Sequence, residues 1–145
     1  MELLLVMAVI AIIVAIALPS FQGMRSEASV TKAEGDLQTL KTAVESYYRH
    51  HGTLPTSLSQ LYSASPAIVT KELKDPFKTS GNTYKYIYKL GKDAVGNYIY
   101  VIYSKGPDGK DVKPTIKNNG TSKAYVSVKK TSDEIVVSNV PVIRE

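Results

Sequence analysis

The chain begins with its most apolar segment. Apolar residues run without interruption from Leu3 to Leu18, and no charged residue occurs between Glu2 and Arg25. As a helix, the uncharged stretch would span roughly 33 Å, enough to cross the hydrocarbon core of a membrane. A core helix is disfavoured because the apolar residues cover every face, and a cleaved signal peptide because no basic residue precedes the run. A membrane-inserted helix is the preferred interpretation, and copies of the same helix would cover it equally well.

The hydrophobic pattern becomes amphipathic beyond Arg25. Pro19 and Gly23 predict a kink or local melting of the helix between residues 15 and 23. Apolar residues then recur at spacings of three and four, the period of one helix face. This stripe consists of Val30, Ala33, Leu37, Leu40, Val44 and Tyr47. Because Gly52 is a stop signal, the pattern predicts one helix of about fifty residues that ends there.

Alternating residues in the rest of the chain predict a small sheet. The predicted strands are Tyr84–Leu90, Asn97–Ser104, Ala124–Lys129 and Ile135–Val142. The second is apolar on both faces and should be central. We expect a hairpin loop at Gly91–Gly96, a connection around Asp133 between the last two strands, and a long loop from Ser104 to Ser122.

The two patterns together predict an α+β fold, in which a long N-terminal helix packs on a small antiparallel sheet. The stripe from Val30 to Tyr47 is the expected cover for the apolar face of the sheet. We expect two units: residues 1–24, a hydrophobic membrane or filament-core helix, and residues 25–145, a globular domain that contains helix 25–51 and the sheet.

Composition narrows the function classes. The chain has no cysteine, which excludes disulfides, thiolate zinc sites, a cysteine nucleophile and cysteine-attached haem. We find no nucleophile–base pair and no cluster of metal ligands, so we do not expect an enzyme. The net charge of +5 comes from dispersed lysines. They could attract nucleic acid, but no compact basic run occurs, and solubility is the preferred explanation.

Two segments of the apolar helix resemble the N-terminal motif of the type IV pilin family, which includes the pseudopilins of type II secretion systems. Met1–Leu5 (MELLL) and Ala17–Phe21 (ALPSF) match its acidic residue, apolar helix and proline. The family usually carries Phe-Thr-Leu shortly before the acidic residue. These residues and the leader peptide do not precede Glu2, and we expect the printed sequence to begin inside the natural one.

Three later segments are similar to motifs of major pseudopilins. Tyr48–Leu61 (YRHHGTLPTSLSQL) resembles the stretch that ends their long helix. Asp75–Phe77 (DPF) resembles their Asp-Pro-Trp-Gly segment, with Phe in place of Trp. Tyr103–Gly109 (YSKGPDG) resembles their Ser-x-Gly-Pro-Asp-Gly loop. The absence of cysteine also fits this subgroup, since many true pilins close a disulfide loop.

The resemblance implies a building block of a helical filament. The protein would first reside in the bacterial inner membrane as a single-pass subunit. It would then be incorporated into a periplasmic or extracellular filament made of copies of itself. An inner-membrane assembly platform and a prepilin peptidase are the implied partners, besides the lipid bilayer. The residues expected to serve assembly are Glu2, Leu3, Leu4, Leu5, Ile10, Ile13, Pro19 and Phe21.

Two alternatives to a secretion pseudopilus stay open from the sequence. One is the major pilin of a surface pilus, which would serve adhesion, motility or DNA uptake. The other belongs to a different class: a monomeric, membrane-anchored periplasmic binding module.

Calcium is the only cofactor that the resemblance suggests. Major pseudopilins bind it in the loop that here follows Ser104, where Ser104, Asp108 and Asp111 are the candidate ligands. Lysines occupy most of the positions where the family carries further acidic residues. Because calcium needs six to eight oxygen ligands, an ordinary turn is the preferred interpretation.

Overall fold

Two helices and six strands make up the part of the chain that the computed structural model describes. The described residues are 2–65, 67–77, 83–110, 113–118, 124–130 and 133–145, with the side chains of residues 18–22 excepted. In chain order, the elements are α1 (Glu2–His51), α2 (Ser59–Ser63), β1 (Ile87–Lys92), β2 (Tyr98–Ser104), β3 (Thr115–Asn118), β4 (Ala124–Val128), β5 (Ile135–Ser138) and β6 (Val142–Arg144). The predicted α+β class is confirmed.

Helix α1 is continuous over 50 residues, which corresponds to about 75 Å of length. Its backbone is helical through Pro19 and Gly23, so the local melting expected between residues 15 and 23 is wrong, while a kink stays a prediction. The helix ends where predicted: Gly52 has a φ of 70°, and its amide donates to the carbonyl of Tyr48 at 2.8 Å. Among the residues whose side chains are described, neither helix is long and apolar enough to cross a membrane.

The described strands form two three-stranded sheets, where the sequence predicts one. The first has the order β1-β2-β5 and is antiparallel throughout, with β2 in the predicted central position. The second has the order β3-β4-β6, in which β4 pairs with β3 antiparallel and with β6 parallel. β3 lies in the segment that the sequence predicts to be a loop, so that prediction is wrong for residues 115–118. The strand could not be predicted locally, because its pairing partner β4 comes later in the chain.

The last predicted strand, Ile135–Val142, is not one continuous strand. The segment Ile135–Val142 divides into β5, which pairs with β2, and β6, which pairs with β4. The division occurs at Asn139, whose side chain accepts from the amide of Tyr100 at 3.0 Å and donates to the carbonyl of Tyr98 at 3.1 Å. Pro141 follows, and its carbonyl accepts from Val126. The asparagine side chain thus replaces ladder bonds on β2 while the backbone moves to the second sheet.

The β1–β2 hairpin is shifted from its predicted position. β1 begins at Ile87 and extends to Lys92, which pairs with Tyr98. The connecting loop is held by Asp93, whose Oδ1 accepts from the amides of Val95 and Asn97 at 2.9 and 2.7 Å. Because an aspartate that binds the backbone ahead of it stabilises a turn, Asp93 is the sequence signal for this loop.

Strand β2 lies between two apolar layers. Tyr100 and Ile102 belong to the core beneath α1, whereas Val101 and Tyr103 pack with Val126 of β4. Side chains of a strand alternate between its two faces, so a strand covered on both sides must be apolar throughout. This explains why β2 lacks the polar alternation of an ordinary surface strand.

The apolar stripe of α1 supplies the layer above the first sheet. Val30 and Tyr47 at its ends are partly buried. Its four central residues have no exposed surface and join the core that contains Tyr100, Ile102 and Val137; they are Ala33, Leu37, Leu40 and Val44. The C-terminal half of α1 therefore packs on the first sheet.

Gly106 marks a close approach of two backbone segments and yields a first prediction. It has a φ of 73°, and a Cβ added there would lie 2.0 Å from the carbonyl oxygen of Asp133. Gly109 has a similar φ of 65°, but no atom of the described residues lies within 4 Å of such a Cβ. Gly109→Ala should cost about 1 kcal/mol through the left-handed backbone alone. Gly106→Ala should cost roughly 1–3 kcal/mol more, because the Asp133 segment must move.

Thermal unfolding of the detergent-solubilised chain, followed by circular dichroism, measures both substitutions. A lower midpoint for Gly106→Ala than for Gly109→Ala is expected. Equal midpoints would show that the approach of Gly106 to Asp133 is not a constraint on the fold.

Candidate assembly surface

The first third of α1 presents an apolar surface that the other described residues do not cover. The exposed fraction of its large apolar side chains lies between 46% at Val14 and 74% at Leu3. Five of the predicted assembly residues belong to this surface: Leu3, Leu4, Leu5, Ile10 and Ile13. Among the described side chains of α1, the first buried one is that of Ala33, where the helix packs on the sheet. We call the exposed segment from Leu3 to Ile16 the apolar surface.

The free energy associated with this surface is large. It contains eleven large apolar side chains. At 1.5–3 kcal/mol for each fully buried side chain, covering them would contribute of order 20 kcal/mol before the costs of ordering and association. Such a surface is far more extensive than the isolated apolar residues that ordinary protein surfaces carry.

Three further predicted assembly residues lie at the ends of this segment. Glu2 is the first residue of α1 and is exposed, and its carboxylate is favourably placed at the positive end of the helix dipole. Pro19 and Phe21 belong to the stretch whose side chains lie outside the described residues. The assembly roles of all three stay predictions.

Hydrogen bonds from tyrosines hold the sheet against α1. The Tyr86 hydroxyl donates to Asp36 Oδ2 at 2.9 Å, and the Tyr100 hydroxyl donates to Glu45 Oε1 at 3.4 Å. Burial raises the pKa of both phenols above the usual range for tyrosine. The neighbouring carboxylate, Asp36 or Glu45, raises it further. Both tyrosines therefore remain neutral hydrogen-bond donors at physiological pH.

The structure joins two of the motifs that resemble pseudopilins. Asp75 of the Asp-Pro-Phe segment is 2% exposed, and its Oδ1 accepts from Ser104 Oγ and from the amide of Phe77, both at 2.9 Å. Ser104 begins the Ser-Lys-Gly-Pro-Asp-Gly loop, and its Oγ also accepts from the amide of Gly106 at 3.3 Å. The sequence shows both motifs but not this contact, because the two residues lie far apart in the chain.

The described calcium candidates do not come together as a metal site. The Ser104 hydroxyl is buried and donates to Asp75. Asp108 is exposed, and its Oδ1 accepts from the amide of Lys110, as in an ordinary turn. Asp111 lies outside the described residues. No group of three potential metal ligands occurs among the residues searched, which are the described ones. Calcium binding stays a prediction from the resemblance.

Asp75 yields a prediction for the pH dependence of stability. Burial, which outweighs the bonds from Phe77 and Ser104, raises the pKa of its carboxyl above the usual 3.8, and no described group bonds to its Oδ2. The folded protein therefore holds this proton to higher pH than the unfolded chain does. The corresponding stability is present at low pH and is lost as the pH rises through the folded pKa. Asp75→Asn keeps the Oδ1 acceptor and should abolish this loss.

Asp93 provides a matched control of opposite sign. Hydrogen bonds, first from the Asn97 side chain and then from backbone amides, lower the pKa of its carboxyl. The contribution of Asp93 is therefore lost as the pH falls, and Asp93→Asn should remove that loss. Unfolding midpoints between about pH 3 and pH 6 measure both effects. If the difference between wild type and Asp75→Asn does not vary with pH, Asp75 is not a buried, titrating carboxyl.

Comparison with known proteins places these features in one family. Residues 21–119 match the family described as type II secretion system (T2SS), protein G. The type II secretion system core protein G of Pseudomonas aeruginosa is 28% identical over 120 residues, which cover 76% of this chain and 82% of the relative. The protein of the same name from Escherichia coli is 28% identical over 134 residues, or 85% and 90% of the two chains.

A pilin shows a similarity of narrower extent. The type IV major pilin protein PilE1 of Neisseria gonorrhoeae is 37% identical over 65 residues, which cover 45% of this chain and 39% of the pilin. No solved structure shows a significant match. Because the family match covers more than half of the sequence, the chain belongs to the type II secretion system protein G family, the major pseudopilins.

Proposed function

We propose that the apolar surface of this pseudopilin is covered by lipid before assembly and by the helices of neighbouring subunits afterwards. The observation that carries the proposal is the exposure of every large apolar side chain from Leu3 to Ile16. The C-terminal half of α1, in contrast, packs on the sheet. An apolar surface of this size is stable in an apolar environment that excludes water. Lipid tails and identical helices both provide such an environment.

The geometry of α1 favours an open polymer over a closed dimer. Helix α1 extends about 45 Å beyond Ala33, the first buried position among its described side chains. The apolar surface runs around all sides of the half of this extension that begins at Leu3, so one neighbour cannot cover it. Contacts between different faces of identical subunits do not close on themselves, and such contacts generate helical fibres.

Glu2 is the residue we assign to register between subunits. In an apolar bundle, a carboxylate requires a cation. The family resemblance suggests the N-terminal amine of a neighbouring subunit as that cation. Glu2 stands at the free end of α1, so it can enter the bundle together with the apolar surface.

Further proposed partners follow from the family resemblance. An inner-membrane assembly platform would extract the subunit from the bilayer, and a prepilin peptidase would process it beforehand. We propose single-pass insertion in the inner membrane, then location in a periplasmic pseudopilus. The similarity to PilE1 makes a surface pilus the second candidate, but it covers less than half of the chain.

Removal of the Glu2 charge tests the proposal. Glu2→Leu should leave membrane insertion intact, because an apolar residue extends the apolar surface. It should lower the yield of filaments at least tenfold, because the partner cation loses its counter-charge inside the bundle. Alkaline extraction of membranes measures insertion, and electron microscopy of sheared cells measures filaments.

Glu27→Leu is the matched control, since Glu27 is an exposed acidic residue on the same helix. It should insert and assemble as wild type does. A normal filament yield from Glu2→Leu would contradict the proposed role of Glu2. Insertion of the wild-type protein without any filament, in cells that carry the secretion machinery, would favour a monomeric membrane-anchored module instead.

A further inference from the structure

A cavity of about 570 Å³ opens between the last turns of α1 and the β1–β2 hairpin. Its volume falls within the range of small-ligand sites. The lining residues that matter for its chemistry are Glu45, Tyr48, Arg49, Asn97, Tyr98 and Tyr100. The cavity lies about 45 Å along the helix from the end of the apolar surface. It is therefore separate from the surface that we assign to assembly.

Tyrosine rings form the walls and the floor of this cavity. Tyr48 on α1 and Tyr98 on β2 are 51% and 54% exposed, so about half of each side chain is open to a ligand. Tyr100 is 1% exposed and forms the floor. Lys92 Nζ lies 4.6 Å from the centre of the Tyr98 ring and covers one face of it. Two exposed rings thus border an open space over a buried third.

Two opposite charges line the same space without neutralising each other. Glu45 and Arg49 lie one helical turn apart, yet the Arg49 Nε donates to the backbone carbonyl of Glu45 at 3.4 Å. The Glu45 carboxylate instead accepts from the Tyr100 hydroxyl. In the described part of the chain, neither side chain forms an ion pair. The cavity therefore presents a strong acceptor and a strong donor to whatever enters it.

The wall of the cavity on the strand side is fixed in place. The side-chain amide of Asn139 bonds to the backbone of both Tyr98 and Tyr100. Asn97 is held by Asp93, whose Oδ2 accepts from Asn97 Nδ2 at 2.8 Å. Four hydrogen bonds to Asp93 or Asn139 thus order Asn97 and the backbone of Tyr98 and Tyr100 before any ligand arrives. Such preorganisation lowers the entropic cost of binding.

We propose that this cavity binds a neutral saccharide. A simple anion would meet Glu45, a simple cation would meet Arg49, and a purely apolar ligand would remove water from both charges without replacing its hydrogen bonds. A pyranose ring has hydroxyls that both donate and accept at its rim and apolar C–H faces that stack on aromatic rings. It satisfies the carboxylate, the guanidinium and the exposed rings of Tyr48 and Tyr98 together.

Saturation-transfer NMR on the full chain tests this inference. The protein is kept in a detergent without a sugar headgroup, and the probes are cellotetraose and chitotetraose, each at about 5 mM so that weak binding is seen. Saturation should reach the ring protons of at least one probe. Cellotetraose would indicate a plain glucan and chitotetraose an N-acetylated glycan, and either result supports the proposal.

Substitutions locate the site. Tyr48→Ala and Tyr98→Ala should each weaken binding about tenfold through loss of a stacking surface. Tyr84→Ala is the matched control, because Tyr84 is 44% exposed and does not line the cavity. All three variants should keep the wild-type unfolding midpoint within a few degrees and should still form filaments.

Absence of saturation transfer to both probes would overturn the proposal. Equal binding by wild type, Tyr48→Ala and Tyr98→Ala would overturn it as well, since the saccharide would then sit elsewhere. Protection of Tyr98 only on filament formation, without saccharide binding, would assign the cavity to a neighbouring subunit. Assembly through the apolar surface is measured separately and would survive each of these results.

Discussion

The structure depends on one constraint: none of the described parts of the chain covers the apolar first third of α1. Leu3 to Ile16 lie exposed on a helix among whose described side chains the first to be fully buried against the sheet is that of Ala33. We propose lipid and copies of the same helix as its cover, and burial of its side chains in either environment would contribute of order 20 kcal/mol before opposing costs. The two ends of α1 serve different purposes. Its N-terminal third carries the proposed assembly surface, and its C-terminal half packs on the sheet of the globular part.

The globular part must hold this helix without a disulfide, and two kinds of contact serve that purpose. The stripe from Ala33 to Val44 buries apolar area against β2, while Tyr86 and Tyr100 bond to carboxylates on α1. β2 in turn lies between α1 and the second sheet. The buried bond between Ser104 and Asp75 then ties the end of β2 to the segment that leads into the sheet. Displacement of β2 would therefore disturb all of these contacts at once.

The sequence predicts the features that depend on local periodicity. The helix, its stripe, its end at Gly52 and the central position of β2 follow from spacings of three, four and two residues. Strand pairing could not be predicted in the same way: β4 and β5 are neighbours in the chain but belong to different sheets, because Asn139 and Pro141 redirect the backbone. The cavity was equally hidden, since Tyr48 and Tyr98 come from elements that only the fold brings together. The hydrogen bond between Asp75 and Ser104 could not be predicted either, because the two residues belong to different motifs that only the fold brings together.

The most direct test of the central claim is an electron cryomicroscopy reconstruction of filaments formed by the full-length protein. The account predicts that the helices lie along the filament axis, with Leu3, Ile10 and Ile16 of each subunit buried by at least two neighbours and the sheets facing outward. A filament held together by the globular parts alone, with the apolar surface still exposed or covered only by detergent, would contradict it.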